Sequence, residues 1–121
     1  RDWFARTGIF PIMHVIGIRK TLVAAHPWLP ASVYKAFLRA KHACMPKLFD
    51  LNALHVSLPW VAAEAEATRA AMGADFWPYG VDASRRTLDA VARYSHAQGL
   101  TSRVLAPEDI FAASTIETVK I

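Results

Sequence analysis

Residues 9–19 (IFPIMHVIGIR) constrain this chain more than any other stretch, because they form one continuous apolar, β-branched run among segments built for helices. A short run of this kind, bounded by Thr7-Gly8 before and Lys20-Thr21 after, reads as a strand buried on both faces, as in an α/β sheet. Pro11 delays regular pairing, and Gly17 marks a bulge or a close backbone approach. One buried strand cannot make a sheet. Its neighbours must come from other polypeptide or from a second copy, so the expectation is the C-terminal part of a larger α/β protein, with a homo-oligomer as the alternative way to pair the strand. The opening agrees: Arg1 stands where a Met or a signal peptide is usual, and Trp3, Phe4, Ile9 and Phe10 follow at once.

After this strand the pattern is helical. His26-Pro27-Trp28-Leu29-Pro30 reads as a helix entry, and residues 31–44 continue with an apolar stripe at Val33, Phe37, Ala40 and Cys44 until Pro46 stops it. Lys35, Arg39 and Lys41 fall mainly outside that stripe. A short helical turn is expected near residues 48–54. Residues 60–72 are rich in Ala, and Gly73 suits the position just past the end of a helix. Asp82 or Ser84 caps a further helix that runs to about Gln98, with Leu88, Val91, Ala92 and Tyr94 or Ser95 inward and Gly99 as terminator. Pro107-Glu108-Asp109 begins a last turn through Phe111, and residues 114–121 read as extended. The whole of 1–121 is one segment: a strand over about 7–19, then a helical remainder over 27–121.

Composition narrows the function. With 54% hydrophobic residues and four Trp in 121 residues, disorder is excluded as a general reading. The net charge of +4 is spread among acids without a basic, aromatic-interleaved stripe, so no nucleic-acid partner is expected. No apolar run approaches the ~20 residues of a membrane span, and no membrane partner is expected. The single Cys44 cannot form an internal disulfide, which favours a reducing compartment. His14, His26, His42, His55 and His96 lie far apart without HxxxH, HxH or CxxC spacing, so no metal is assigned. Phosphate-cradling glycine loops and GxSxG are absent, and no cofactor is assigned.

Three features remain for chemistry. His14 sits inside the apolar run, where imidazole is either a neutral core group satisfied by backbone or a general acid/base. Phe76-Trp77-Pro78-Tyr79-Gly80 puts three aromatics in one loop, for core packing or for a pocket wall. Arg85-Arg86 lies in the first turn of its helix, against the dipole, so it faces solvent or meets an anion or acidic neighbour.

Taken together, Thr7-Gly8-Ile9-Phe10-Pro11-Ile12-Met13-His14, Asp75-Phe76-Trp77-Pro78-Tyr79-Gly80, the RRTL of 85–88, and Pro107-Glu108-Asp109-Ile110-Phe111 with Ser114-Thr115 resemble the C-terminal part of the 4,5-dihydroxyphthalate decarboxylase family. The resemblance runs over essentially the whole chain. It implies a two-lobed fold like the type II periplasmic binding proteins, with residues 7–19 as a hinge strand beside the ligand cleft and about four helices after it. It also implies a cytoplasmic, cofactor-free carboxy-lyase acting on a small aromatic dicarboxylate. His14 would be its acid/base, Thr7 and Gly8 would donate to the substrate, and Trp77 and Tyr79 would wall the ring. A non-catalytic solute-binding protein of the same fold is the alternative. Most carboxylate-binding residues would lie outside these 121 residues, and the segment alone would be inactive.

Overall fold

The computed structural model describes residues 1–116; the part of the 114–121 tail expectation that falls on 117–121 lies outside the described residues. Six α-helices run in chain order: α1 Asp2–Thr7, α2 Lys20–Ala25, α3 Leu29–Cys44, α4 Val61–Met72, α5 Val81–Ala97 and α6 Pro107–Ile110. Two 3₁₀ turns, Met45–Phe49 and Ala113–Thr115, complete the described elements.

The longer helices form where local signals agree. α3 takes Pro30 in its first turn, where a missing N–H costs nothing, and ends on Lys41 and His42, which suit the negative end of the dipole. Pro46 cannot continue the α-helical ladder, and the chain tightens into the 3₁₀ turn Met45–Phe49. This turn packs against both α3 and α4. α4 is built from strong helix formers and stops at Gly73, whose φ of 94° excludes most side chains. α5 carries Asp82 in its first turn but starts two residues earlier than a cap at Asp82 would allow, with Gly80 at the N-cap. It closes at Gly99, where Leu100 N–H reaches the Ser95 carbonyl at 2.8 Å. α6 packs on α5, and Ala113–Thr115 returns to α3.

The expected buried strand does not form. Residues 8–19 have no regular secondary structure, and among the described residues there is no strand of any kind to pair with them. The described residues are therefore helical rather than α/β. The physical reason is that a strand is a shared element: its N–H and C=O groups need a neighbouring ladder, whereas a helix satisfies its own. At the start of the segment α1 forms instead, and it claims Thr7. Gly8 ends α1 in the left-handed region at φ 63°, its N–H bonded to the Phe4 carbonyl at 2.7 Å.

Burial is correspondingly shallow. The core consists of Ala65, Phe76, Val81, Ala90 and Ala92, and no large side chain among the described residues is less than 2% exposed. The chain exposes 9132 Å², against the roughly 6,500 Å² of a compact monomer of this mass. Exposed apolar side chains are spread along the chain and include a run in the 8–19 segment, where Met13 is 70% and Val15 68% exposed and Phe10, Ile12 and Ile16 are also exposed.

Two helix faces also differ from their periodicity. On α3 Pro30 and Lys41 are buried and Tyr34 and Leu38 half-buried, as is Val33 of the expected stripe, while its Phe37, Ala40 and Cys44 face outward. On α5, Leu88, Ala92 and Ser95 point inward as expected, but Ala90 is buried and Val91 and Tyr94 are exposed. Periodicity identifies a face only when apolar content alone decides it. On α3 a polar partner decides instead.

Candidate functional site

That partner is the loop over residues 74–80, between α4 and α5. Phe76 is buried and anchors it. On one side of Phe76, Trp77 projects outward, and its ring lies 5.6 Å from that of Phe10 at a tilt of 59°, a favourable arrangement for two π-systems. On the other side, Tyr79 lies across the Lys41 ammonium, with Nζ 5.1 Å from the ring centroid. Lys41 also donates to Asp75 Oδ1 at the start of the loop. Phe4, Phe10, Met72, Phe76 and Trp77, with Arg1 at the rim, surround an open cavity of about 380 Å³. That volume suits a single substituted aromatic ring. Arg1 is held at the rim by Glu64 at 2.7 Å, and Thr68, also lining the cavity, spends its hydroxyl proton on the Glu64 carbonyl at 2.7 Å.

Thr7 and Gly8 lie at the end of α1. The Thr7 hydroxyl donates to the Trp3 carbonyl at 2.7 Å and accepts from Ile9 N–H at 3.1 Å, so both of its functions are engaged by backbone. The Thr7 carbonyl accepts from an Arg86 guanidinium nitrogen at 3.0 Å. Arg86 passes so close to Gly8 that a Cβ there would meet the guanidinium at 2.5 Å, and no other residue fits without displacing it. His14 is exposed, makes no hydrogen bond among the described residues and does not line the cavity beside Trp77. The structure thus brings Trp77 to the Phe10 segment and ties Thr7-Gly8 to α5. Tyr79 belongs to a separate cluster with Lys41, and His14 stands apart from all of these.

Arg86 and Lys41 were not expected as site residues. Arg86 had a readable signal, since a cation in the first turn of a helix opposes its dipole unless an acceptor holds it. Lys41 had none. Arg85, its neighbour's twin, bonds Glu108 at 2.8 Å, and its guanidinium holds that carboxyl below the usual range. The pair is occupied rather than free.

The same end of α5 carries a pH-sensitive brace. Asp109 accepts from Arg103 at 2.8 Å and from Ala106 N–H at 2.9 Å, closing the first turn of α6. The Arg103 bond, helped by the backbone N–H, lowers its carboxyl from 3.8 to about 2. A depressed folded-state value means the brace stabilises fully above pH 3.8 and is lost as pH falls toward 2. Acid titration followed by far-UV circular dichroism is expected to show the Asp109→Asn chain losing less stability than the parent across that window. Equal losses would mean that the brace does not contribute.

No family model matches the chain. It is 40% identical over 120 residues to a 4,5-dihydroxyphthalate decarboxylase of Comamonas testosteroni. The alignment covers 99% of this chain and 36% of that protein, so the chain spans about a third of the length of the curated relative it matches. The similarity anticipated from the motifs therefore extends along almost the whole chain. No helix among the described residues is long and apolar enough to cross a membrane.

Proposed function

We propose that these residues form the C-terminal part of an aromatic-acid decarboxylase that removes one carboxylate from 4,5-dihydroxyphthalate to give protocatechuate and carbon dioxide. The observation that carries this reading is the 40% identity to a decarboxylase of that name over 120 residues. The aromatic-walled cavity beside Trp77 supports it, as does the exposed apolar surface of residues 8–19, which suits a segment covered by the other two-thirds of a two-lobed protein of the periplasmic-binding type.

In the substrate each ring hydroxyl is para to a carboxylate. Removing a phenolic proton sends charge to the carbon bearing that carboxylate. Protonation of this carbon then lets carbon dioxide leave as aromaticity returns, so the ring is its own electron sink and no added cofactor is needed. His14 is the group proposed to move the proton, because imidazole changes charge near neutral pH. Trp77 is proposed to supply a face for the ring, while Tyr79, whose ring lies over Lys41, does not line that cavity. Thr7 and the Gly8 backbone are the proposed donors to the substrate, with Thr7 able to donate only by giving up its bond to Trp3.

The 121 residues alone are expected to be inactive, since they hold a face of the site and not its enclosure. The test is to incubate the complete polypeptide that contains them with 4,5-dihydroxyphthalate and measure carbon dioxide and protocatechuate together. Equal amounts of both support the reading. Tight, stoichiometric binding without either product would identify a solute-binding protein instead.

A further inference from the structure

Lys41 is the one charged side chain buried among the described residues, at 8% exposure, while its partner Asp75 remains open to water. A desolvated ammonium is costly unless its charge is met from close range. Here it is met twice by the same loop, by the Asp75 carboxylate at the loop's start and by the Tyr79 ring near its end. A third contact comes from the same helix: the Tyr34 hydroxyl donates to the Tyr79 carbonyl at 3.4 Å. At Gly80 the backbone turns through φ 103°, and a Cβ would lie 3.0 Å from the Tyr34 hydroxyl oxygen, so helix and loop approach as closely as the missing side chain allows. The loop is therefore tied to α3 at both ends, and Trp77 sits between the ties. Phe76 is pinned inward, which leaves Trp77 only the outward direction, toward Phe10 and the cavity.

We propose that Lys41 is a positioning residue which, with Tyr34, clamps the 74–80 loop through Tyr79 so that Trp77 presents a fixed face to an aromatic carboxylate. The proposal rests on the decarboxylase reading for the identity of the ligand, but its geometry stands without it. A wall already held in place loses little freedom when a ring stacks on it, so the clamp should act on binding more than on the chemical step.

Lys41→Met is the direct variant. It keeps the length of the side chain and removes the charge, and because Asp75 is already open to water no buried charge is stranded. Tyr34→Phe, which removes only a hydroxyl, is the second variant should the first fail to fold. Trp77 emission is isolated as the difference between each protein and its Trp77→Phe counterpart, and quenching by acrylamide reports how freely the ring moves. In the complete polypeptide Lys41→Met is expected to raise the Trp77 quenching constant about twofold and KM about tenfold, with kcat within about threefold, the pattern of lost binding without lost chemistry. In the Trp77→Phe background the same change should raise KM by less than about threefold, because the residue it positions is gone. Unchanged Trp77 quenching in both variants would overturn the clamp. Raised quenching with an unchanged KM would overturn its role toward the ligand. Absence of any carbon dioxide release by the parent protein would instead defeat the decarboxylase reading, and the quenching result would still decide the clamp.

Discussion

His14→Asn in the complete polypeptide is expected to lower kcat on 4,5-dihydroxyphthalate by about 10²- to 10⁴-fold, the usual contribution of a positioned proton-transfer group. KM should change by no more than about threefold, because the imidazole is assigned to the proton and not to holding the ring. Thermal stability should be unchanged within about 0.5 kcal/mol, as for positions that carry no packing or hydrogen-bond contact of their own. His14 is exposed and has no hydrogen-bond partner among the described residues, so its loss removes no contact seen here. Steady-state kinetics beside a melting curve separates the outcomes. Normal turnover would end the catalytic assignment, and a collapse in stability would show that the residue serves packing in the complete protein.

Phe76→Ala is expected to have the largest effect on stability, about 3 kcal/mol, at the low end for a buried Phe because its ring borders an open cavity that water can enter. Stability for a chain of this size is typically a few times that figure, and this core is shallow, so the change approaches the unfolding threshold. Urea denaturation of the chain should show the midpoint falling sharply with little change in slope. Trp77→Ala is the internal comparison: the residue is 46% exposed, and removing its ring should cost about 1 kcal/mol or less. Equal costs for the two would mean that Trp77 belongs to the core and not to a surface offered to a ligand.

The contrast between these two residues shows which parts of the fold were legible in the sequence. α4 and α5 could be read because composition, an acidic first turn and terminal glycines at 73 and 99 all act within the helix itself. Residues 8–19 could not, since β-branched apolar content describes what a segment would do beside a ladder and is silent on whether a ladder is there. The same limit hid Lys41. A lysine opposite an apolar stripe reads as solvent-facing, and only the loop 34 residues away in sequence, with Asp75 and Tyr79 correctly spaced, makes its burial affordable. The aromatic loop itself was readable as a feature: Phe76 packs inward and Trp77 borders an open cavity. Arg85 and Arg86 were recognised as unusual, and each has an acceptor, Glu108 and the Thr7 carbonyl.

These local results leave residues 8–19 as the hinge of the account. Their exposed side chains and His14 gain a purpose only if the remainder of the protein folds over them and forms the cleft. The most direct measurement is a structure of the complete polypeptide with 4,5-dihydroxyphthalate or a non-reacting analogue bound. The account predicts residues 8–19 paired as a strand, the ring against Trp77, and a His14 nitrogen about 2.6–3.2 Å from a ring hydroxyl, directly or through one water. A ligand bound elsewhere, with His14 still on the outer surface, would contradict it.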